Sequence, residues 1–149
     1  MDKKQTSELA YLNLFEIKLD LKTTNTLLVG DERAKFLSFK KQLEETLPVQ
    51  LIDFKYDENL LIMNFNENIV DGKLLIFPLL LELKKYEQYS NLLHLELAQH
   101  DKSGNIVMII KFTDLKLEYF SKPEFCYEND GTFKPKTVFS YNKLEYIFS

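Results

Sequence analysis

The chain has 149 residues and a formal net charge of -4, from 19 basic and 23 acidic side chains. Apolar residues make up 45%, which suits one domain with a real core and argues against disorder. The mild acidity gives no support to a general phosphate-binding surface, because nucleic-acid-binding domains are usually clearly basic.

The lone cysteine, Cys126, cannot form an internal disulfide, which fits a reducing compartment. The N-terminus has charges throughout its apolar portion, so it lacks a signal-peptide core. The longest apolar run, Leu74 to Leu81, contains Pro78 and falls far short of the roughly twenty residues of a membrane span. These features predict a soluble, cytoplasmically made single domain over 1–149, with residues 1–9 as a flexible arm and no membrane partner.

Tyr11 to Lys22 alternates cleanly. Phe15, Ile17, Leu19 and Leu21 take one face, and Glu16, Lys18, Asp20 and Lys22 take the other, which predicts a half-buried strand. Thr23 to Asn25 predicts a turn, and Thr26 to Val29 a short strand. Asp31 can cap a helix over Glu32 to Leu47, where Phe36, Phe39, Leu43 and Leu47 recur at steps of three and four. Pro48 is expected to end it. The apolar stripe is narrow, as in a helix that packs on a surface.

Val49 to Tyr56 and Leu60 to Asn66 alternate on either side of Asp57-Glu58-Asn59, which predicts a hairpin. Asn68 or Asp71 could cap a following helix. Pro78 suits the first residue of a helix, so a helix is expected over Pro78 to Tyr86, ending near Tyr89, with 72–77 open between helix and strand.

From Asn91 to Phe120 the pattern is a long hairpin. Leu93, Leu95 and Leu97 alternate with polar neighbours, Asp101 to Asn105 has turn chemistry, and alternation then runs for about fifteen residues to Phe120. That length, against the usual five or six, predicts a break or bulge near Thr113-Asp114. Residues 121–136 read as a loop, with a turn at Asn129-Asp130-Gly131. The last strand spans Lys136 to Phe148. Leu144, Tyr146 and Phe148 share one face and Phe139 and Tyr141 the other, so both faces are partly apolar. The sum is an α+β chain, mainly β: an antiparallel sandwich or barrel of about seven or eight strands with one or two flanking helices.

No motif carries chemistry. His94 and His100 would share a strand face, but zinc needs further converging ligands. Cys126 has no neighbouring base and reads as a packing thiol, not a nucleophile. Gly30, Gly72, Gly104 and Gly131 are isolated, which excludes the Rossmann and P-loop spacings. Lys3-Lys4, Lys40-Lys41 and Lys84-Lys85 are short, with acids nearby and no interleaved aromatics. The expectation is no catalytic residue, no cofactor, no metal and no enzyme activity. A β-rich chain with two-faced apolar strands has edges to guard or to use.

The order of elements resembles the tail tube proteins of contractile-tailed bacteriophages, a group that includes tube-like baseplate proteins and type VI secretion tube proteins. Leu12 to Leu19 (LNLFEIKL) is similar to the family's opening strand. Leu61 to Glu67 (LIMNFNE) is similar to the strand before its helix. Gly104 to Phe120 resembles its long broken strand, and Thr137 to Phe148 its aromatic C-terminal strand. These pieces cover about half the chain. Two features depart from the pattern: a helix stands where the family usually carries an extended loop, and Pro78 falls in the expected helix.

The resemblance implies a structural virion protein, one subunit of a ring-stacked, hexameric tail tube or of a ring that starts or ends one. It implies location in the virion tail after assembly in the bacterial cytoplasm. The partners would be copies of itself and other tail or baseplate proteins, with DNA only in transit. The implied interface residues are Leu12, Leu14, Ile110, Phe112, Phe139, Tyr141, Tyr146 and Phe148. An acidic channel does not follow, because Glu16, Asp20, Glu96 and Glu118 are mixed with Lys18, Lys22, Lys111 and Lys116. The alternative is a monomeric or dimeric β-rich protein-binding module of phage or plasmid origin. Burial of Phe139 and Tyr141 in the chain's own core, and not in a ring contact, would favour it.

Overall fold

Residues 8–22, 29–87, 93–128 and 131–149 are described by a computed structural model of the chain. In chain order the elements are β1 (Phe15–Leu21), α1 (Asp31–Gln50), β2 (Leu51–Tyr56), β3 (Leu60–Phe65), β4 (Ile69–Val70), β5 (Lys73–Leu74) and α2 (Ile76–Tyr86). They continue with β6 (Leu93–His100), β7 (Ile106–Phe120), β8 (Lys136–Ser140) and β9 (Lys143–Phe148). The expected strand at Thr26 to Val29 and the turn at Asn129-Asp130 fall on or against residues outside this description.

β7, with 15 residues, is shared by two sheets. Its first half lies between β6 and β9, and β6 in turn pairs with β1. Its second half pairs with β8, followed by β3 and then β2. Every pairing is antiparallel. The sheet does not close: among the described residues β1 and β2 end the path and β9 pairs only with β7. The architecture is therefore an open, bent sandwich and not the closed barrel that the strand count also allowed. β4 and β5 form a separate two-stranded hairpin.

The bend falls where the sequence predicted a break. Asp114 has φ 55°, left-handed backbone that asparagine and aspartate tolerate better than other side chains. The neighbouring strand breaks opposite it: Asn142 donates its backbone N–H to Thr113 O at 3.0 Å and its Nδ2 to Asp114 Oδ2 at 3.2 Å. This corrects the expectation of one two-faced terminal strand. The break divides it into β8 and β9 and reverses the side-chain parity between them. Phe139 and Leu144 consequently both turn to the interior, where Phe139 is fully buried and Leu144 packs against the core.

One core joins both sheets and both helices. Ile17, Leu19, Leu95 and Phe112 come from the first sheet, Leu61, Met63, Phe65 and Leu117 from the second. Phe36, Phe39, Leu43 and Leu47 are the buried stripe of α1, as their spacing predicted. Two expectations about α1 are corrected. Gly30, with φ 60°, occupies the cap position and Asp31 is already helical, its charge favourable at the N-terminal end. Pro48 lies inside the helix. Proline there removes one intrahelical hydrogen bond, but the last turn is held from outside. Leu47 is fully buried, and Gln50 O accepts from Asn66 N at 2.8 Å.

The open segment 72–77 resolves into the end of a tight hairpin and the start of α2. Asp71 and Gly72 turn with φ 53° and 75°. α2 begins two residues before Pro78, which still falls in the first turn, where backbone N–H groups have no intrahelical partner. The cap is neither Asn68 nor Asp71. Glu67 reaches forward to it: its carboxylate accepts from the N–H groups of Leu75, Ile76 and Phe77 at 2.6–3.0 Å.

Candidate assembly site

The residues that could do chemistry are kept apart. His94 Nε2 lies 3.8 Å from Asp114 Oδ1, and His100 Nε2 lies 3.1 Å from Glu16 Oε1. Each histidine thus has its own carboxylate neighbour, and among the described residues no group of three metal-binding side chains forms. Cys126 is exposed in the β7–β8 loop and is not the packing thiol expected. Between Phe125 and Tyr127, both nearly fully exposed, it has nothing to pack against.

The sheet edges are distinctive. Among the described residues, β7 has no strand partner on the β6 side beyond Leu115. There α2 covers it. Lys84 Nζ donates to Leu117 O at 2.5 Å, and Leu117 N–H donates to Glu87 Oε1 at 2.5 Å. Both free backbone groups of Leu117 are therefore satisfied by side chains. Burial holds the Glu87 carboxyl above its ordinary value, opposed by the Leu117 N–H and by Lys84.

Among the described residues, no strand pairs with the outer edge of β1 or β9, although Lys40 of α1 reaches the Asp20 carboxylate on β1 at 3.2 Å. A groove of about 480 Å³ runs beside β1, between Phe15, Glu16 and Ile17 on one side and Pro48, Val49 and Ile52 on the other. Val49 is 76% exposed and Ile52 41%. On β9, Tyr146 and Phe148 stack with ring centroids 6.3 Å apart and remain 46% and 71% exposed. The Tyr146 hydroxyl meets that of Tyr56 at 2.8 Å. Burial and this contact push the Tyr56 phenol up to about 12.

The eight residues expected at an interface are divided by the fold. Leu12, Tyr146 and Phe148 are exposed and Leu14 is half-buried. Ile110, Phe112 and Phe139 are core residues. Tyr141 is half-buried, with its ring 5.1 Å from Phe112 and its hydroxyl donating to Asp57 O. The face of Phe139 and Tyr141 thus turns toward the chain's own core, with Phe139 fully buried and Tyr141 half-buried. The Lys84–Glu87 cover and the Glu67 cap were not anticipated. Helical spacing does place Lys84 and Glu87 one turn apart, but nothing in the sequence names Leu117 as their target.

This bent pair of sheets with a helix against each half has counterparts among solved structures. A chain in the sheath–tube complex of an extracellular contractile injection system (PVC), in the extended state, aligns with TM-score 0.55 at 9% identity, over 95% of this chain and 93% of that one. The tube-terminating cap of the anti-feeding prophage aligns with TM-score 0.56 at 8% identity, over 99% and 97%. The baseplate of the same prophage gives TM-score 0.53 at 7% identity, over 99% and 98%. No protein-family model and no curated protein sequence matches the chain. The fold is therefore shared, at very low sequence identity, with chains of the sheath–tube, cap and baseplate assemblies of contractile injection systems.

Proposed function

We propose that the chain is a structural subunit of a contractile tail or injection apparatus, assembling with copies of itself into a ring of a tube or of a tube-starting or tube-ending ring. The observation that carries this is the state of the four-stranded sheet β1-β6-β7-β9. Among the described residues its two outermost strands each have one edge without a strand partner, and they run antiparallel to each other, so one copy can add to the next without reversing direction. Head-to-tail addition of this kind closes into a ring when the rotation allows it, and closure removes the exposed edges. The likeness to tube, cap and baseplate chains supports the same reading. In it, six copies surround a channel that DNA crosses without being bound, and other tail proteins contact the ring faces. The mixed charges of the sheet surface support a channel wall that holds no polyanion.

The alternative, a monomeric protein-binding module, is favoured by the internal placement of Phe139 and Tyr141. Light scattering after size exclusion, with negative-stain imaging of the same fractions, separates the two. The assembly reading expects ring or tube particles that grow with concentration and show rotational symmetry. A particle that stays monomeric at every concentration would return the chain to the alternative.

A further inference from the structure

The edges of the four-stranded sheet also specify how one copy meets the next. Registers run straight across the strands. Lys18 lies opposite Glu96, Glu96 opposite Lys111, and Lys111 opposite Glu145. Charge thus alternates along a row crossing all four strands on the solvent face. On the interior face the adjacent row is Ile17, Leu97, Ile110 and Tyr146, and the next is Leu19, Leu95, Phe112 and Leu144. Each charged row ends positive on one edge and negative on the other: Lys18 with Glu145, and Asp20 on β1 with Lys143 on β9.

The backbone narrows the choice further. Leu14 O accepts from His100 N at 2.8 Å, so the even-numbered backbone groups of β1 face β6 and the odd-numbered ones face outward. Ser149 N donates to Val107 O at 3.3 Å, so the odd-numbered groups of β9 face β7 and the even-numbered ones face outward. Odd residues of β1 must therefore meet even residues of β9.

We propose that β9 of one copy pairs antiparallel with β1 of a second copy in a single register, Ile17 opposite Tyr146, set by this alternation of charge. The proposal rests on the ring reading above and adds the edges and the alignment. In this register Lys18 meets Glu145 and Asp20 meets Lys143, while Phe15 meets Phe148 and Leu19 meets Leu144. Phe148 and Tyr146 enter the groove beside β1 and cover Val49 and Ile52. Glu16 meets Ile147, and its carboxylate already has His100 as neighbour. A slip of two residues either way sets Glu145 against Glu16 or Asp20 and Lys143 against Lys18 or Lys22, like charges that cross-strand pairing disfavours.

The test is disulfide capture in a Cys126→Ser background, mixing two single-cysteine chains at assembling concentration. A Lys18→Cys chain with a Glu145→Cys chain should give a covalent dimer, at least about tenfold more than Glu16→Cys or Asp20→Cys with Glu145→Cys. Within one chain residues 18 and 145 are three strand spacings apart, about 14 Å, beyond the roughly 7 Å that a disulfide spans. Capture at the mismatched positions, or none in particles that still form rings, overturns the register and leaves the ring reading standing. No capture together with a monomeric parent chain sinks both. Independently, the exchange Lys143→Glu with Glu145→Lys should raise the concentration needed for assembly at least about tenfold while circular dichroism stays unchanged. Assembly at the parent concentration would refute the charge rule.

Discussion

Two edges of one molecule are treated in opposite ways. The second half of β7 is guarded, with Lys84 and Glu87 filling the hydrogen-bonding positions of Leu117 that a further strand would use. Among the described residues β1 and β9 have no equivalent strand-blocking contact, and in the proposed register the side chains of one edge complement those of the other. Unpaired edges invite association, so covering one edge and patterning these two favours growth through β1 and β9. The difference also shows what a guard requires: a helix held firmly enough to place two side chains on one residue's backbone.

The largest effect should come from loosening that helix. The Glu67 carboxylate accepts from the N–H groups of Leu75, Ile76 and Phe77 at the start of α2, and Glu67→Ala leaves Ile76 and Phe77 without this acceptor. The expected loss is about 2–3 kcal/mol in chemical denaturation, at the upper end for caps because the acceptor is charged and shared. A smaller loss is expected from Glu87→Ala, about 1–2 kcal/mol, for the unpaired Leu117 N–H. That variant should also speed hydrogen exchange at the Leu117 amide and leave the β1 and β9 edges unaltered. If the Leu117 amide exchanges as in the parent chain, the guard is decoration and the contrast between edges fails.

Much of this was legible in the sequence, and the exceptions have physical causes. Strands β1, β6 and β7 announce themselves because one face is buried and the other is wet, and burial enforces strict alternation. The break at Asp114 was foreseeable from length alone. The parity reversal at Asn142 was not, because it is a response to the bend in the neighbouring strand, and no local residue type demands it. Pro48 misled for a related reason: helix-ending rules are local, whereas Leu47 and Gln50 hold that turn by contacts made elsewhere. Glu67 acts across a hairpin inserted between it and the helix, a spacing no capping pattern covers. At the assembly site the exposed Tyr146 and Phe148 were visible, but Ile110, Phe112 and Phe139 were not separable from them. Alternation tells which face a residue is on, not whether that face is already covered.

The smallest effect sharpens the contrast most, because it turns on charge alone. Glu87 is buried at the guarded edge, and its carboxyl is held above the ordinary value of 4.5, first by burial. The folded state therefore binds a proton more readily than the unfolded one. Stability should be greatest below the ordinary glutamate range and should decline as pH rises through the raised folded value. Glu87→Gln keeps an acceptor for Leu117 and removes the titration. Its stability relative to the parent chain should be least favourable on the acid side and should improve steadily toward neutrality, measured by denaturant unfolding across that span. A stability difference that stays constant across that span would mean that the guarded edge is wet, and that the helix covers it in geometry only.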